Sequence, residues 1–205
     1  ASATGTRTIL GNINILNGGA LDFTAAASIN SLGNISFSGT GSLGNSSTNT
    51  GSLLGVSDLT ILAGANATIG RVQFTIVGNT NVNGDLTFSN NTGSKIFANL
   101  FNVSNGSSVE FSANVTLTLL NDLNLSGTCS FGDGSSGTGT VSCFGNLNVD
   151  ASGIAALGSV NLTIFSDANF SGDTQLGGSS LSIEGNLNLS GTAVLDASTG
   201  TNTIN

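Results

Sequence analysis

The chain has 205 residues, of which 38% are hydrophobic and only 7% are charged, and its formal net charge is −8. Three basic residues cannot supply the phosphate contacts that a nucleic acid or an anionic membrane surface requires, so neither partner is expected. No apolar run approaches the roughly 18–20 residues of a membrane span. Because the composition is uniform, residues 1–205 are predicted to form one domain.

A short polar–apolar alternation, often ending in Gly, recurs along the chain. Its nine copies are NINILN from Asn12, NISFSG from Asn34, DLTILA from Asp58, NTNVNG from Asn79, LFNVSN from Leu100, DLNLSG from Asp122, NLNVDA from Asn146, DANFSG from Asp167 and NLNLSG from Asn186. Successive starts lie 22, 24, 21, 21, 22, 24, 21 and 19 residues apart. A repeat of this length accommodates three short strands and three turns.

Two further strands are predicted in each repeat. The inward positions of the second strand align as columns, for example Leu21/Phe23 with Gly41/Leu43 and Val109/Phe111 with Cys129/Phe131. The third strand places an outward Thr or Ser before an inward apolar residue, as in Thr163/Ile164. All three strands therefore alternate with a period of two residues.

Stacking the same residue type at a fixed period is typical of a solenoid, whereas the strands of an antiparallel sandwich have different neighbours and need not resemble one another. The predicted fold is all-β: a single-stranded parallel β-helix of about nine three-strand coils of ~22 residues. Residues 1–11 form a partial coil, and right-handed winding is favoured over left-handed.

The sequence offers little catalytic chemistry, because it contains no His and no Tyr. Asp58, Asp122 and Asp167 fall in the same column as the Asn residues that begin other repeats, which indicates a polar ladder and not a pair of catalytic carboxylates. Asp133 and Asp173 lie in Gly-rich turns but lack the spacing of a calcium-binding repeat. We therefore expect no enzymatic activity, no cofactor and no metal.

The two cysteines, Cys129 and Cys143, fall on inward positions of the same coil and enclose the Gly-rich loop that follows Phe131. A disulfide between them is predicted, which would place the chain in an oxidising compartment. The alternative is two buried thiols that never meet.

Asparagine is the strongest functional signal. The third position of each repeat forms an outward column, Asn14, Ser36, Thr60, Asn81, Asn102, Asn124, Asn148, Asn169 and Asn188, whose amides can bond from coil to coil. Eleven asparagines also stand in N-x-[ST] acceptor sequences for N-glycosylation: Asn34, Asn45, Asn66, Asn90, Asn102, Asn105, Asn114, Asn124, Asn161, Asn169 and Asn188. Composition alone predicts about seven, and coils about 4.8 Å apart leave no room for glycans on every acceptor.

The outward Thr and Ser of the third strand suggest a second surface, since regular Thr arrays bind ice in some insect solenoids. The pairs Thr6/Thr8, Thr116/Thr118 and Thr140/Ser142 fit such an array, but Lys95 and Leu53/Leu54 interrupt it.

The phrases GNLNV at Gly145–Val149 and GNLNLSG at Gly185–Gly191 resemble the repeats of secreted β-helical surface proteins, such as filamentous-haemagglutinin and autotransporter passengers. The resemblance implies an elongated protein that is extracellular or on the cell surface. The function expected from the sequence is a non-enzymatic subunit of an extracellular fibre or coat. Its copies would stack head to tail through uncapped ends and carry N-glycans. An adhesin or carbohydrate-binding passenger is the first alternative, and an ice-binding protein is the second.

Overall fold

The computed structural model describes residues 5–150, 152–199 and 201–205, without the side chains of residues 198 and 199. The chain winds as a parallel β-solenoid whose strands, β1–β28 in chain order, form three sheets. Each coil contributes one strand to each sheet, and every strand pairs in parallel with the equivalent strands of the coils before and after it. The predicted fold class is therefore confirmed.

The three sheets are called face one, face two and face three, in the order in which a repeat visits them. Face one contains β2 (Ile13–Ile15), β5 (Ile35–Phe37), β8 (Leu59–Ile61), β11 (Thr80–Val82), β14 (Phe101–Val103), β17 (Leu123–Leu125), β20 (Leu147–Val149), β23 (Ala168–Phe170) and β26 (Leu187–Leu189). Face two contains β3 (Gly19–Leu21), β6 (Gly41–Leu43), β9 (Asn66–Ile69), β12 (Asp85–Phe88), β15 (Ser108–Phe111), β18 (Cys129–Phe131), β21 (Ile154–Leu157), β24 (Asp173–Gly177) and β27 (Leu195–Thr199). Face three contains β1 (Gly5–Ile9), β4 (Ala27–Ser31), β7 (Gly51–Val56), β10 (Val72–Ile76), β13 (Lys95–Phe97), β16 (Val115–Leu119), β19 (Gly139–Cys143), β22 (Val160–Ile164), β25 (Ser180–Ile183) and β28 (Thr203–Ile204).

Face one follows the sequence repeat without a register error. Each of its nine strands begins one residue after a predicted repeat start, so that the strand after Asn12 begins at Ile13 and the strand after Asn186 begins at Leu187. The first and third residues of each strand point inward, and the middle residue points outward. This alternation places the Asn column on the outer surface.

A continuous apolar core fills the interior, and aromatic rings occupy its centre. Phe97 packs edge-on against Phe74 and Phe101, with ring centroids 5.4 and 4.8 Å apart. Phe88 and Phe111 stack in successive coils with centroids 5.9 Å apart. Because neighbouring rings come from consecutive coils, each coil covers the apolar surface of the last.

The register on face two differs from the prediction at three places, the last of which is the end of the chain, where Thr174 pairs with Leu195 although the predicted columns align Thr174 with Ala193. Leu21 pairs with Leu43, and Val109 pairs with Phe131, so the predicted columns are displaced by two residues. Phe23 and Phe111 remain buried but lie under glycines of the next coil, Gly51 and Gly139 respectively, where a Cβ would overlap the ring. The displacements at Leu43 and Phe131 occur at the two coils of 24 residues, because each extra pair of residues is accommodated at the corner between faces two and three.

These two corners have the same construction. In the first, the Phe23 N–H donates to Ser47 Oγ at 2.7 Å, and in the second the Phe111 N–H donates to Ser135 Oγ at 2.8 Å. Each loop begins with a glycine of positive φ, Gly44 at 69° or Gly132 at 83°. Equivalent residues stand 88 positions apart, and the coil spacings 22, 24 and 21 recur in the same order. The solenoid thus contains a larger repeat of four coils.

Candidate functional site

The outer surface of face one carries an amide ladder. The Nδ2 of each asparagine donates to Oδ1 of the asparagine one coil earlier, at 2.8–2.9 Å, through five consecutive steps. The ladder residues are Asn81, Asn102, Asn124, Asn148, Asn169 and Asn188. In the earlier coils Ser36 Oγ donates to Asn14 Oδ1 at 2.7 Å. Chains of such bonds stiffen a stack because each coil is tied to both neighbours.

A second polar column runs along the corner before face one, and it contains the carboxylates considered for catalysis. Asp122 Oδ1 accepts the backbone N–H of Asn146 at 2.7 Å, and Asp167 Oδ1 accepts that of Asn186 at 2.8 Å. Asp58 Oδ1 accepts the N–H of Asn79 at 2.8 Å. Asn and Asp are interchangeable here because the position needs only an acceptor oxygen. The predicted polar ladder is therefore observed.

A shallow groove of about 430 Å³ follows the amide ladder on face one. Its floor is formed by Asn102, Asn124, Asn148 and Asn169, and Asp150 lies on its rim. Burial opposes ionisation of Asp150, but hydrogen bonds from Ser152, Gly127 and Ser126 outweigh it and lower the pKa of this carboxyl. The groove thus combines neutral amides with one fixed negative charge.

The eleven N-glycosylation acceptors fall into two groups. Asn102, Asn124, Asn169 and Asn188 donate through Nδ2 to the amide ladder, and Nδ2 is the atom to which a glycan would be attached. The other seven lie outside this ladder; Asn45, Asn66, Asn105, Asn114 and Asn161 are exposed, and Asn34 and Asn90 are half-buried. The tripeptide pattern cannot separate the groups, because it does not show whether Nδ2 is engaged.

The predicted disulfide is not formed: Cys129 and Cys143 are both free, buried thiols. Cys129 begins β18, at the corner between faces one and two, whereas Cys143 ends β19, at the corner between faces three and one. The Gly-rich loop lies at the corner between faces two and three. Inward residues such as Phe131 and Val141 therefore stand between the loop and each thiol. Cys143 Sγ instead lies 3.4 Å from the carbonyl oxygen of Asn121.

Both thiols are expected to be unreactive in the folded chain. Burial raises the pKa of Cys129 and of Cys143 to about 11, so almost no thiolate is present at pH 8, and both cysteines are buried. Ellman's reagent should detect no thiol in the native protein and two after unfolding in guanidinium. An S46C variant, with a cysteine on an exposed loop, should add one thiol that reacts natively. If the unfolded, unreduced chain showed no free thiol, Cys129 and Cys143 would form a disulfide after all.

The outward Thr and Ser residues of face three do align in part. Thr116, Thr140, Asn161 and Ser180 form one outward column in register across four coils. In the adjacent column Ile96 pairs with both Thr75 and Thr118. The interruption in that coil is therefore Ile96, because Lys95 points inward and is buried, contrary to the sequence interpretation.

Lys95 is held by the loop that precedes its strand. Its Nζ donates to the carbonyl oxygens of Asn90, Thr92 and Gly93 at 2.9, 3.3 and 3.3 Å. The sequence could not predict that Lys95 points inward, since lysine is rarely buried. The loop carbonyls supply the partners that make burial tolerable.

Among the described residues no group of three or more His, Cys, Asp or Glu side chains could hold a metal ion. In the same part of the chain no helix is long and apolar enough to cross a membrane. The chain matches no protein-family model, no curated protein and no solved structure. Its parallel solenoid is nevertheless compatible with the resemblance to β-helical repeats.

Proposed function

We propose that the chain is a non-enzymatic structural rod of an extracellular fibre or surface coat. The proposal rests on one observation: asparagine amides and aspartate carboxylates form hydrogen bonds from coil to coil along the rod. A side chain whose acceptor oxygen is occupied by a backbone N–H contributes to stiffness and is less available for chemistry. The same construction recurs in coil after coil, which favours a mechanical role.

Head-to-tail stacking is the proposed mode of assembly. All three sheets are parallel, so the edge presented by β1, β2 and β3 differs from the edge presented by β28, β26 and β27. Unlike edges can pair between copies in the same way that coils pair within one copy, and such a heterologous contact is open-ended. The product would be a fibre in which nine coils add about 43 Å per copy.

N-glycosylation outside the amide ladder is part of the proposal. A surface with few charges needs another source of solubility, and glycans on the exposed acceptors would provide it. We expect occupancy at Asn66, Asn105, Asn114 or Asn161, which are exposed, and none at Asn124 or Asn169.

Electron microscopy and intact-mass analysis test the two parts separately. Purified chains should form fibres, and uniform short rods without end-to-end contacts would refute stacking. Chains from a glycosylating host should exceed 20.2 kDa, and removal of N-glycans should restore that mass. A mass of 20.2 kDa before treatment would refute glycosylation but leave the fibre intact.

A carbohydrate-binding adhesin is the second candidate, and the groove along the amide ladder favours it. Amides on the groove floor keep one donor hydrogen and one acceptor lone pair each, which suit hydroxyl groups of an extended glycan. Screening of immobilised glycans should then show binding that an N124L/N148L variant loses. No binding to any glycan would remove this candidate.

A further inference from the structure

Exposed apolar side chains form a column along the corner where face three ends and the chain turns toward face one. This column, called the apolar edge, comprises Leu10 and Leu32 in the first two coils and, after an interruption at Ser57, Val77, Leu120, Phe144 and Phe165. Between 45% and 77% of each side chain is exposed. Single exposed apolar residues are ordinary on a protein surface, but a contiguous column is not.

The column is continuous over five successive coils from Val77 to Phe165, with Ala98 completing it. From Ala98 onward, each backbone N–H donates at 2.8–2.9 Å to the last residue of the preceding face-three strand, so neighbours keep the sheet spacing of about 4.8 Å. The rings of Phe144 and Phe165 stack with centroids 4.6 Å apart and an interplanar angle of 11°.

Folding of the solenoid does not require apolar residues at this corner. At the corner between faces one and two, the corresponding positions of four successive coils are Ser104, Ser126, Asp150 and Ser171. Their backbone N–H groups make the same bond to the preceding coil, at 2.9–3.1 Å. A corner of this shape therefore accommodates polar residues, and the apolar edge needs a different explanation.

We propose that the apolar edge is a lateral interface with a second copy of this chain, the two solenoids lying side by side and parallel. The apolar edge places one apolar residue every 4.8 Å or so, and the same edge of a second copy has the same spacing, so residues of the two copies can pack against each other coil by coil. A two-fold axis parallel to the rods brings each coil opposite the same coil of the second copy, so the match holds along the whole edge.

The polar columns beside the apolar edge decide between parallel and antiparallel packing. On one side lie Asp122 and Asp167, and on the other lie Thr118, Ser142 and Thr163. In the parallel arrangement the carboxylates of one copy face the hydroxyl donors of the other. An antiparallel arrangement centred on Leu120, the middle of the continuous part of the edge, places Asp122 opposite Asp122 of the second copy and is disfavoured by their repulsion.

Both flanking columns are needed for a stable contact. A standard interface buries about 800 Å² per partner. An aromatic side chain buries roughly 150–250 Å² in full, so the half-exposed Phe144 and Phe165 provide roughly 100 Å² each, and the aliphatic residues supply a similar share. The remaining area comes from the Thr/Ser and Asn/Asp columns.

Sedimentation equilibrium of the full chain tests the interface. At protein concentrations too low for fibres to form, wild type and an L16N/L62N control, altered at exposed leucines of the other corner, should sediment at twice 20.2 kDa. An L120N/F144N/F165N variant should sediment at 20.2 kDa with an unchanged circular dichroism spectrum. A wild type that stays monomeric at its highest soluble concentration, or an edge variant that still dimerises, would overturn the proposal.

Cross-linking tests the orientation and does not depend on the triple variant folding. In a C129A/C143A background, F144C chains should form disulfide-linked dimers with themselves, because the parallel pair places this position next to its own copy. Cross-linking of F144C chains with A98C chains instead would show antiparallel packing and overturn the parallel arrangement. Rod width in micrographs separates this pairing from head-to-tail stacking, since a lateral pair is twice as wide at unchanged length.

Discussion

An F97A variant should lose about 3–5 kcal/mol of unfolding free energy, the usual cost of truncating a fully buried phenylalanine. Phe97 is 0% exposed and lies in β13, near the middle of the solenoid. Its ring contacts Phe74 and Phe101 edge-on, so the substitution leaves a cavity between coils. Because a solenoid is stabilised by contacts between neighbouring coils, a central cavity weakens the coupling of its two halves.

Guanidinium unfolding measures the effect, with circular dichroism as the signal because the chain has no Trp and no Tyr. L62A is the control, since Leu62 is 43% exposed and its truncation should change the free energy by less than about 0.5 kcal/mol. F97L, which refills most of the volume, should cost under about 1.5 kcal/mol. Equal midpoints for F97A and L62A would contradict the core packing described above.

The repeat in the sequence was sufficient to predict the three parallel faces and the start of every coil on face one. It succeeded there because each coil repeats both an inward apolar pair and an outward polar residue, as at Leu123, Asn124 and Leu125. Face two carries weaker information. A shift of two residues keeps every side chain on its own side of the sheet, so alternation could not reveal that Leu21, and not Phe23, pairs with Leu43.

The disulfide prediction failed for a related reason. Alternation identifies Cys129 and Cys143 as inward residues, but it does not show at which corner of the coil each one lies. The same limit applies to the glycosylation acceptors: Asn124 and Asn161 have the same tripeptide pattern, yet only Asn124 has its Nδ2 in the amide ladder. Both distinctions depend on contacts between coils, which are set by register and not by local sequence.

Lys95 shows most clearly how a local loop overrides the repeat. Gly93, with φ of 85°, lies so close to the backbone of Val72 and Gln73 in the preceding coil that an added Cβ would come within 2.8 Å of it. The carbonyl oxygen of Gly93 is one of the three that bind Lys95 Nζ. The lysine therefore occupies an inward position that Phe74 and Leu117 occupy in the adjacent coils.

The contribution of Lys95 to the stability of the folded chain should rise between pH 8 and about 10. Burial lowers the pKa of Lys95 from 10.5 to about 8. Below pH 8 both the folded and the unfolded chain carry the proton, and the cost of burying the charge is constant. Above pH 8 the folded chain loses the proton while the unfolded chain retains it, so increasing pH favours folding. At roughly 1.4 kcal/mol per pKa unit, the gain is at most about 3 kcal/mol.

Comparison with a K95M variant isolates this contribution. Cys129 and Cys143 act in the opposite sense, because their raised pKa values make stability fall as pH rises from 9 toward 11. Both cysteines are present in both proteins, so their effects cancel in the difference between the two unfolding free energies. That difference should be constant below pH 8 and should shift in favour of the wild type up to pH 10. Parallel curves for the two proteins over this range would show that Lys95 titrates as an exposed lysine, and the three loop carbonyls would then not hold a buried ammonium.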